Sequence, residues 1–460
     1  MRYLGIDIGS SYIKGAVLDA DALRLSHIER EAAPPFVSGL DHRFREIEPE
    51  PLVQTVRAVL ERLHDHCPDA AGVLMSSQLH GMVLCDDKGR ALTRFIAWQD
   101  QRALMPAPGG EESCFDVIER LITPGERQQL GNERVPGLPL NFLFWLAKYH
   151  ALPATDALPA VLPYFVAASL CGGAPVSDVT HAYGHGALHI GKLDWHHDVI
   201  AKLGLDALRW PRIVPQGAVI GEWSHRGRSL PVFAPVGDYH VSQVGALLEA
   251  DELSVNVSTG SAVIRIADGC ETGDFQTRPW FDGRYLNTIT HLPAGRALNA
   301  MVHLLTELAT AQGVTLGDPW DYIHAGASRA DGAGLQVNPA FYPGNAGDHG
   351  AVLNLREDNM TVGHLFHALF AGMAENYAKC AARIAPGRDW SRLVFSGGVA
   401  LKNAVLRQLI CARLGDAHRL APSDEDTLFG LLVLSLAFTG RAASVREAIA
   451  LVRDNHQPQD

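Results

Sequence analysis

Hydrophobic and polar positions alternate from the first residues of the chain. Residues 3–8 and 12–18 have the pattern of strands, and the small residues 9–11 between them have the composition of a turn, so the chain is predicted to open with a hairpin. A third strand is expected over 23–31. Three short strands in succession indicate the start of a sheet.

A helix is expected next, because apolar residues recur at helical spacing after Pro51, which suits the first position of a helix. The apolar positions are Leu52, Val56, Val59, Leu60 and Leu63. The run 71–75 is apolar but too short for a helix, and it predicts a buried strand. Strands that alternate with helices indicate an α/β domain.

The opening pattern returns about half a chain later. Residues 253–264 again form an alternating strand, a small-residue turn and a second strand. An internal duplication explains this repeat, and the frequency of glycine and serine in ordinary hairpin turns is the alternative. Further on, the pattern predicts a strand over 393–395 and helices over 401–414 and 427–439.

Composition removes several classes of function. The 460 residues include 39 Lys and Arg against 51 Asp and Glu, a net charge of −12 that argues against a protein that coats nucleic acid. Hydrophobic residues make up 47%, which excludes disorder for most of the chain. The longest apolar run, near 428–438, is too short to cross a membrane, and Asp7 interrupts the region where a signal peptide is apolar. A soluble, cytoplasmic protein is expected.

Cysteine, histidine and a phosphate-loop look-alike do not indicate sites. The seven cysteines contain no Cys-x-x-Cys pair, so neither a disulfide framework nor a cysteine zinc site is expected. Residues 186–192 match Gly-x4-Gly-Lys, but Leu193 stands where a phosphate loop needs Ser or Thr, and the segment has the pattern of a hairpin. His181 and His185 are four apart, yet Gly184 and Gly186 disfavour a helix there, and a histidine metal site is not expected.

The first turn, Gly9-Ser10-Ser11, carries candidate chemistry. Small residues let the backbone N–H groups approach phosphate oxygens closely. Asp7, at the end of the preceding strand, could hold Mg²⁺ directly or through water. A tight hairpin with a turn-bonding aspartate is the alternative.

Asp238 is the second candidate. It follows a strand-like run and Gly237 and precedes the helix-like run 241–248, near the middle of the chain. An acid at such a junction would lie at the mouth between two halves, where it could act as a general base toward a substrate hydroxyl. The alternative is an ordinary N-cap, a position at which aspartate is preferred.

Six segments, in chain order, share a further property. They are Gly5-Ile6-Asp7-Ile8-Gly9-Ser10-Ser11, Ser77-Gln78-Leu79-His80-Gly81-Met82, Trp98-Gln99-Asp100-Gln101-Arg102, Gly237-Asp238, Ser258-Thr259-Gly260-Ser261, and Ser396-Gly397-Gly398 with Asn403. Each resembles a motif of the FGGY family of carbohydrate kinases: the first phosphate motif, two sugar-side motifs, the catalytic Gly-Asp, the second phosphate motif and the adenosine motif. Each segment is weak alone, and together they are highly specific.

The resemblance implies a duplicated, actin-like (ribonuclease-H-like) α/β fold with two domains around a hinged cleft. It places a sugar-binding domain at 1–236, an ATP-binding domain at 237–445 and a tail at 446–460, whose polar end, 456–460, is expected to fray. The implied reaction is phosphoryl transfer from Mg·ATP to a primary hydroxyl of a ketose or polyol. Sugar and ATP are the implied partners, a homodimer is possible, and no nucleic acid or membrane partner is expected.

The resemblance also assigns roles to residues. Asp238 would accept the hydroxyl proton, and Asp7 and Asp238 would face Mg²⁺. The implied sugar contacts are Gln78, His80, Trp98, Asp100, Arg102 and Asp238. The implied ATP contacts are Gly9, Ser10, Ser11, Ser258, Thr259, Gly260, Ser261, Gly397, Gly398 and Asn403. A non-catalytic sensor would have lost the base, and an actin- or chaperone-like ATPase would have no use for the sugar-side residues.

Within the family, the segments Trp98-Gln99-Asp100, 144–149 and 256–259 are similar to those of sedoheptulokinases. Kinases of xylulose, ribulose or polyol type are the alternative.

Three residues need separate comment. Tyr239 stands where many family members have Asn or Gln in contact with the sugar, so one sugar contact is in doubt. Leu79 replaces the usual Met, a mild change of apolar volume. Lys14 is interpreted as a solvated strand residue rather than a phosphate contact.

Overall fold

The computed structural model describes residues 1–153 and 156–455. The strands in this part of the chain are β1 (Arg2–Ile8), β2 (Tyr12–Asp19), β3 (Arg24–Ala32), β4 (Glu46–Ile47), β5 (Val73–Ser77), β6 (Val83–Cys85), β7 (Phe95–Ile96), β8 (Leu158–Ala160), β9 (Val176–Ser177), β10 (Leu188–His189), β11 (Asp194–Trp195), β12 (Arg212–Ile213), β13 (Val219–His225), β14 (Arg228–Phe233), β15 (Val236–Gly237), β16 (Glu252–Val257), β17 (Ser261–Ala267), β18 (Gln276–Pro279), β19 (Tyr285–Leu292), β20 (Gln336–Asn338), β21 (Ala351–Leu353), β22 (Arg392–Ser396) and β23 (His418–Leu420).

The α-helices are α1 (Pro49–His66), α2 (Cys114–Leu121), α3 (Pro124–Gln129), α4 (Pro139–Lys148), α5 (Leu162–Cys171), α6 (Val179–Gly184), α7 (His197–Lys202), α8 (Asp238–Gly245), α9 (Gly295–Ala311), α10 (Pro319–Ala327), α11 (Val362–Ile384), α12 (Gly398–Lys402), α13 (Ala404–Leu414), α14 (Asp426–Phe438) and α15 (Val445–Asn455). Short 3₁₀ turns occupy Arg102–Leu104, Phe281–Gly283 and Glu357–Asn359. Within the described ranges, no helix is both long and apolar enough to cross a membrane.

The first sheet has the order β13-β14-β5-β1-β2-β3, and β15 also pairs with β5. Strands β1, β2 and β3 form an antiparallel meander, while β5 runs parallel to β1. The predicted opening hairpin and third strand are therefore confirmed. Parallel neighbours bring their carboxyl ends to one edge, so β1, β5 and β15 end together.

The second sheet, β18-β19-β17-β16-β22-β23, repeats that arrangement. Strand β16 pairs antiparallel with β17, β17 pairs antiparallel with β19, and β22 runs parallel to β16. The order β19-β17-β16-β22 thus matches β3-β2-β1-β5 of the first sheet. The shared topology supports the internal duplication and the actin-like fold.

Two helices that join the halves, α8 and α14, pack in a core with one face of the first sheet, while α1 and α5 pack on its other face. The two helices touch at glycines: a Cβ on Gly245 would lie 1.9 Å from the Asp426 carbonyl oxygen, and one on Gly430 would lie 2.0 Å from that of Val241. No larger residue fits at either point. This close crossing sets the start of α14 beside the end of α8.

Three expectations about helices need correction. The first helix begins at Pro49 rather than Pro51, because Glu48 ends the extended segment. A short helix, α6, does include His181, because the Asp178 side chain accepts hydrogen bonds from the N–H groups of Thr180 and His181. The helix expected over 401–414 is divided into α12 and α13 at Asn403.

The predicted tail over 446–460 is wrong for residues 446–455. This segment is most of α15, whose residues Val445, Ala448, Ile449 and Val452 are buried in the core that contains α14. An apolar stripe at helical spacing gives the segment a face to bury. The remaining residues of the predicted tail, 456–460, lie outside the described ranges.

Candidate active site

Two aspartates lie at the shared edge of the first sheet. Register places Asp7 of β1 opposite Ser76 of β5, and Ser76 opposite Val236 of β15. Asp238 follows two residues after Val236, as the first residue of α8. The chain thus brings together two acids that are far apart in sequence.

Asp7 is held by two hydroxyl donors. Ser76 Oγ donates to Oδ1 at 2.9 Å, and Thr427 Oγ1 of α14 donates to Oδ2 at 2.9 Å. Burial nevertheless raises the pKa of Asp7 above its usual range, and the two hydroxyl bonds oppose that rise only in part. The protein therefore does not fully compensate a negative charge on the Asp7 carboxyl group.

Asp238 is half-buried, and its Oδ1 accepts a 2.6 Å hydrogen bond from the N–H of Tyr239. Gly237, rather than Asp238, occupies the N-cap position of α8. Burial, reinforced by the negative charge of Asp7, raises the pKa of Asp238 to about 7. A carboxyl group with that pKa is able to take up a proton near neutral pH.

A third carboxyl group, Asp426, opens α14, and neither spacing nor resemblance pointed to it. Burial and the charge of Asp7 raise its pKa to about 6, although the N–H of Thr427 donates to it. The only sequence signal is the acidic run that precedes the apolar helix. The charges of Asp7 and Asp426 both raise the pKa of Asp238, and an excess of negative charge of this kind attracts a hard divalent cation.

The interpretation of Lys14 as a solvated residue is wrong. Its Nζ lies 2.5 Å from Glu425 Oε2, and both side chains are only partly exposed. The start of α14 comes against the first hairpin, which could not be seen from strand periodicity. Lys14 thus places a positive charge near Asp7, which opposes the rise in the pKa of Asp7.

The two small-residue turns occupy equivalent positions in the two halves. Ser10 and Ser11 are exposed between β1 and β2, and Thr259 and Gly260 are exposed between β16 and β17. The second turn closes through a 2.8 Å hydrogen bond from the N–H of Ser258 to the carbonyl of Gly260. Both turns leave backbone groups open toward a ligand.

The predicted adenosine segment packs on the second turn. Gly397 has φ +84°, and a Cβ there would lie 2.5 Å from both Ser258 Oγ and the Val257 carbonyl oxygen. Gly398 has open space beside it. Glycine at 397 is therefore required for contact between this segment and the second turn.

Two residues assigned to ATP direct their side chains elsewhere. The Ser261 hydroxyl donates to the carbonyls of Leu292 and Pro293, and Asn403 Oδ1 accepts from the N–H of Leu406 as the cap of α13. Both side chains stabilise the loops that surround the turn.

A cavity of about 900 Å³ lies between the halves and is the candidate sugar pocket. It is lined from the first half by His80, Trp98, Asp100 and residues of 124–137, and from the second half by residues of 273–276, Ile289, His291, 343–345 and Arg383. His80 is fixed by a 2.9 Å hydrogen bond between Nδ1 and the Gly184 carbonyl. The volume is within the range of small-molecule sites.

The predicted sugar-side residues differ in solvent exposure and in how many hydrogen bonds they already make within the protein. Trp98 is 41% exposed, and Gln78 is buried with its Oε1 lacking a hydrogen-bond partner. Asp100 is fully engaged, because Arg102 and the N–H of Arg45 donate four hydrogen bonds to its two oxygens. Arg102 also contacts Glu46 and does not line the cavity, so it orients Asp100 and the loop.

A buried charged cluster links the halves beside this cavity. Arg278 Nη2 lies 2.8 Å from Glu133 Oε2, and both side chains are at most 3% exposed. The Arg278 guanidinium also stacks 4.2 Å above the ring of Tyr239, whose hydroxyl contacts Thr288 Oγ1. The Tyr239 side chain therefore packs against β18 and β19 of the second sheet.

Glu133 and Arg278 each keep one polar atom free. Glu133 Oε1 and Arg278 Nε are buried and have no hydrogen-bond partner. Their chain neighbours Asn132, Arg134 and Gln276 line the cavity, and their charges act on His80 and His291 at its wall. No sequence motif pointed to this pair, since its members come from different halves.

This fold and this cleft belong to a known class. The sequence model described as "FGGY family of carbohydrate kinases, N-terminal domain" matches residues 2–243. The chain belongs to that family and is an enzyme that phosphorylates carbohydrates, for which ATP is the phosphoryl donor.

Individual relatives and a solved structure show how closely this chain resembles known sugar kinases. The sedoheptulokinase of Mus musculus is 24% identical over 94% of this chain and 97% of its own. The xylulose kinase of Klebsiella pneumoniae is 24% identical over 58% of this chain and 55% of its own. The structure of gluconate kinase from Lactobacillus acidophilus superposes with a TM-score of 0.83 at 18% identity, covering 97% of this chain and 92% of that one, which supports the fold.

Proposed function

We propose that this kinase transfers the γ-phosphoryl group of Mg·ATP to a primary hydroxyl of a ketose, and that its substrate is sedoheptulose. Residues 1–236 contribute most of the sugar side, and residues 237–445 contribute the ATP side. The observation that carries the proposal is Asp238, a carboxyl group with a raised pKa at the edge where the two halves meet.

Asp238 acts as the general base in this proposal. As the sugar oxygen bonds to the γ-phosphorus, the bond to the bridging oxygen of ADP breaks and Asp238 takes the hydroxyl proton. The exposed turns at Ser10–Ser11 and Thr259–Gly260 hold the phosphates through backbone N–H groups. The protein thus supplies position and charge, which is most of what phosphoryl transfer requires.

Asp7 is the residue assigned to the cation, together with Asp238, and Asp426 adds a third carboxyl group. Mg²⁺ would neutralise charge on the transferring phosphoryl group. The hydroxyl donors on Asp7 fix its orientation, and its incompletely compensated charge favours a cation.

The choice of sedoheptulose rests on two supports. The mouse sedoheptulokinase aligns over nearly the whole of both chains, and the cavity has room for a seven-carbon sugar. A pentulose is the second candidate, because the xylulose kinase of K. pneumoniae is equally identical over the part that aligns.

A panel of sugars tests the substrate. We expect ADP release with Mg·ATP to be stimulated most strongly by sedoheptulose among sedoheptulose, D-xylulose, D-ribulose, L-ribulose, L-xylulose, D-fructose, gluconate, glycerol and erythritol. A coupled assay with a no-sugar control measures it. Preference for a pentulose would overturn the sedoheptulose assignment and keep the kinase, whereas a flat panel would contradict the ketose class.

The pH dependence follows from Asp238. Because its pKa is raised to about 7, the deprotonated base is lost as the pH falls, and kcat/KM should fall about tenfold per pH unit below that value and level off above it. Saturating Mg·ATP should move the midpoint to lower pH, since a nearby cation favours the carboxylate. A profile that is flat from about pH 5.5 to 8.5 at subsaturating Mg·ATP would contradict the assignment of the base.

A further inference from the structure

A second cluster of ligand-type side chains lies away from the cleft. The C-terminal end of α1 contributes His64 and Asp65, and the hairpin β13–β14 contributes His225. Helix α1 packs on the face of the first sheet opposite to α8 and α14. The cluster is thus separated from Asp238 by the sheet.

The three side chains converge. One potential ligand atom from each of His64, Asp65 and His225 lies within 4.8 Å of the other two. The rings of His64 and His225 meet edge to face, with centroids 5.3 Å apart. Two imidazoles and one carboxylate are a donor set that borderline divalent transition ions accept.

His64 is unusual as a structural residue. It is only 3% exposed, yet neither Nδ1 nor Nε2 has a hydrogen-bond partner, and Nε2 of His225 is also buried without one. Buried polar groups are normally paired, because leaving one unpaired costs roughly 1–3 kcal/mol.

We propose that His64, Asp65 and His225 form a structural site for one borderline divalent transition ion, with Zn²⁺ as the occupant. The ion would join α1 to the β13–β14 hairpin, and water would complete its coordination. Asp65 has a side chain 42% exposed, which provides a route for the ion from solvent.

The surroundings both support and limit binding. Glu61 Oε1 lies 3.8 Å from His225 Nδ1, on the side where an outer carboxylate orients a metal-bound imidazole. Arg226 forms an ion pair with Asp65 at 2.7 Å and competes for its oxygens. Affinity in the micromolar range is therefore expected rather than that of an all-cysteine site.

The test uses the full chain in millimolar Mg²⁺, which occupies the carboxylates of the active site. Isothermal titration with Zn²⁺ should give one ion per chain, Co²⁺ should give visible absorption bands, and Zn²⁺ should raise Tm. His225→Gln and His64→Leu should weaken Zn²⁺ binding by at least about 100-fold, and Glu61→Gln by about tenfold. His64→Leu also removes the unpaired ring nitrogens, so it should fold without metal.

Two further variants are the controls. His66→Gln alters a partly exposed histidine next to the cluster that stacks on His27, and it should bind Zn²⁺ as the unmodified chain does. Asp238→Asn should also leave the Zn²⁺ stoichiometry unchanged. Absence of Zn²⁺ binding, or binding that is the same in His225→Gln and His64→Leu, would overturn the site without affecting the proposed kinase reaction.

Discussion

Asp238→Asn is expected to lower kcat for sugar phosphorylation by about 10³-fold, because an amide cannot accept the hydroxyl proton. The change keeps the side-chain shape and leaves an oxygen that can accept the hydrogen bond from the N–H of Tyr239. Sugar and nucleotide binding should therefore survive. Steady-state kinetics, together with calorimetric titration of each substrate, measures both quantities.

Asp87→Asn is the matched control, since Asp87 is exposed and lies in a different loop. It should leave kcat and both affinities unchanged. Turnover by Asp238→Asn within a few-fold of the unmodified enzyme would exclude Asp238 as the base. Loss of nucleotide binding in that variant would instead indicate that the charge of Asp238 serves mainly to hold Mg²⁺.

Much of the catalytic edge could be predicted because its parts are local in sequence. A strand, a turn of small residues and a second strand suffice to identify Gly9–Ser11 and the preceding Asp7. The repeat of this pattern at 253–264 predicted the duplicated topology of the two sheets. In each case the backbone conformation and the chemical group lie within about a dozen residues, so periodicity is sufficient.

The remaining site residues depend on contacts between distant segments. Asp426 and Thr427 reach Asp7 only because Gly245 and Gly430 let α14 cross α8 closely. The close crossing also brings Lys14 into an ion pair with Glu425 at the start of α14. A single sequence has no signal for such a crossing, because a glycine within a helix is compatible with many arrangements.

The departure at Tyr239 shows how a resemblance can identify a position and leave its role open. The family pattern puts a sugar contact there, whereas in this chain the ring lies beneath the guanidinium of Arg278. Arg278 and its partner Glu133 follow no motif, and the structure alone shows that they meet. Variants of this pair therefore test whether it takes part in sugar binding in addition to joining the halves.

Arg278→Met is expected to be strongly destabilising, lowering the free energy of unfolding by about 3 kcal/mol, because it leaves the buried Glu133 carboxylate without its ion-pair partner. Denaturant unfolding measures the loss. Arg120→Met is the control, since it removes an exposed arginine from a surface pair with Glu112 and should cause no measurable change.

The double variant Glu133→Leu/Arg278→Met separates stability from recognition. Replacing a whole buried ion pair with apolar residues is often neutral, so most of the lost stability should return. If Glu133 Oε1 and Arg278 Nε bind sugar hydroxyls, KM for the preferred ketose should still rise about tenfold or more, because a hydrogen bond to a charged group contributes roughly 1.5–3 kcal/mol. The affinity for ATP should not change. Recovery of both stability and KM would show that the pair only joins the two halves, and a raised KM in a stable protein would identify it as part of the sugar site.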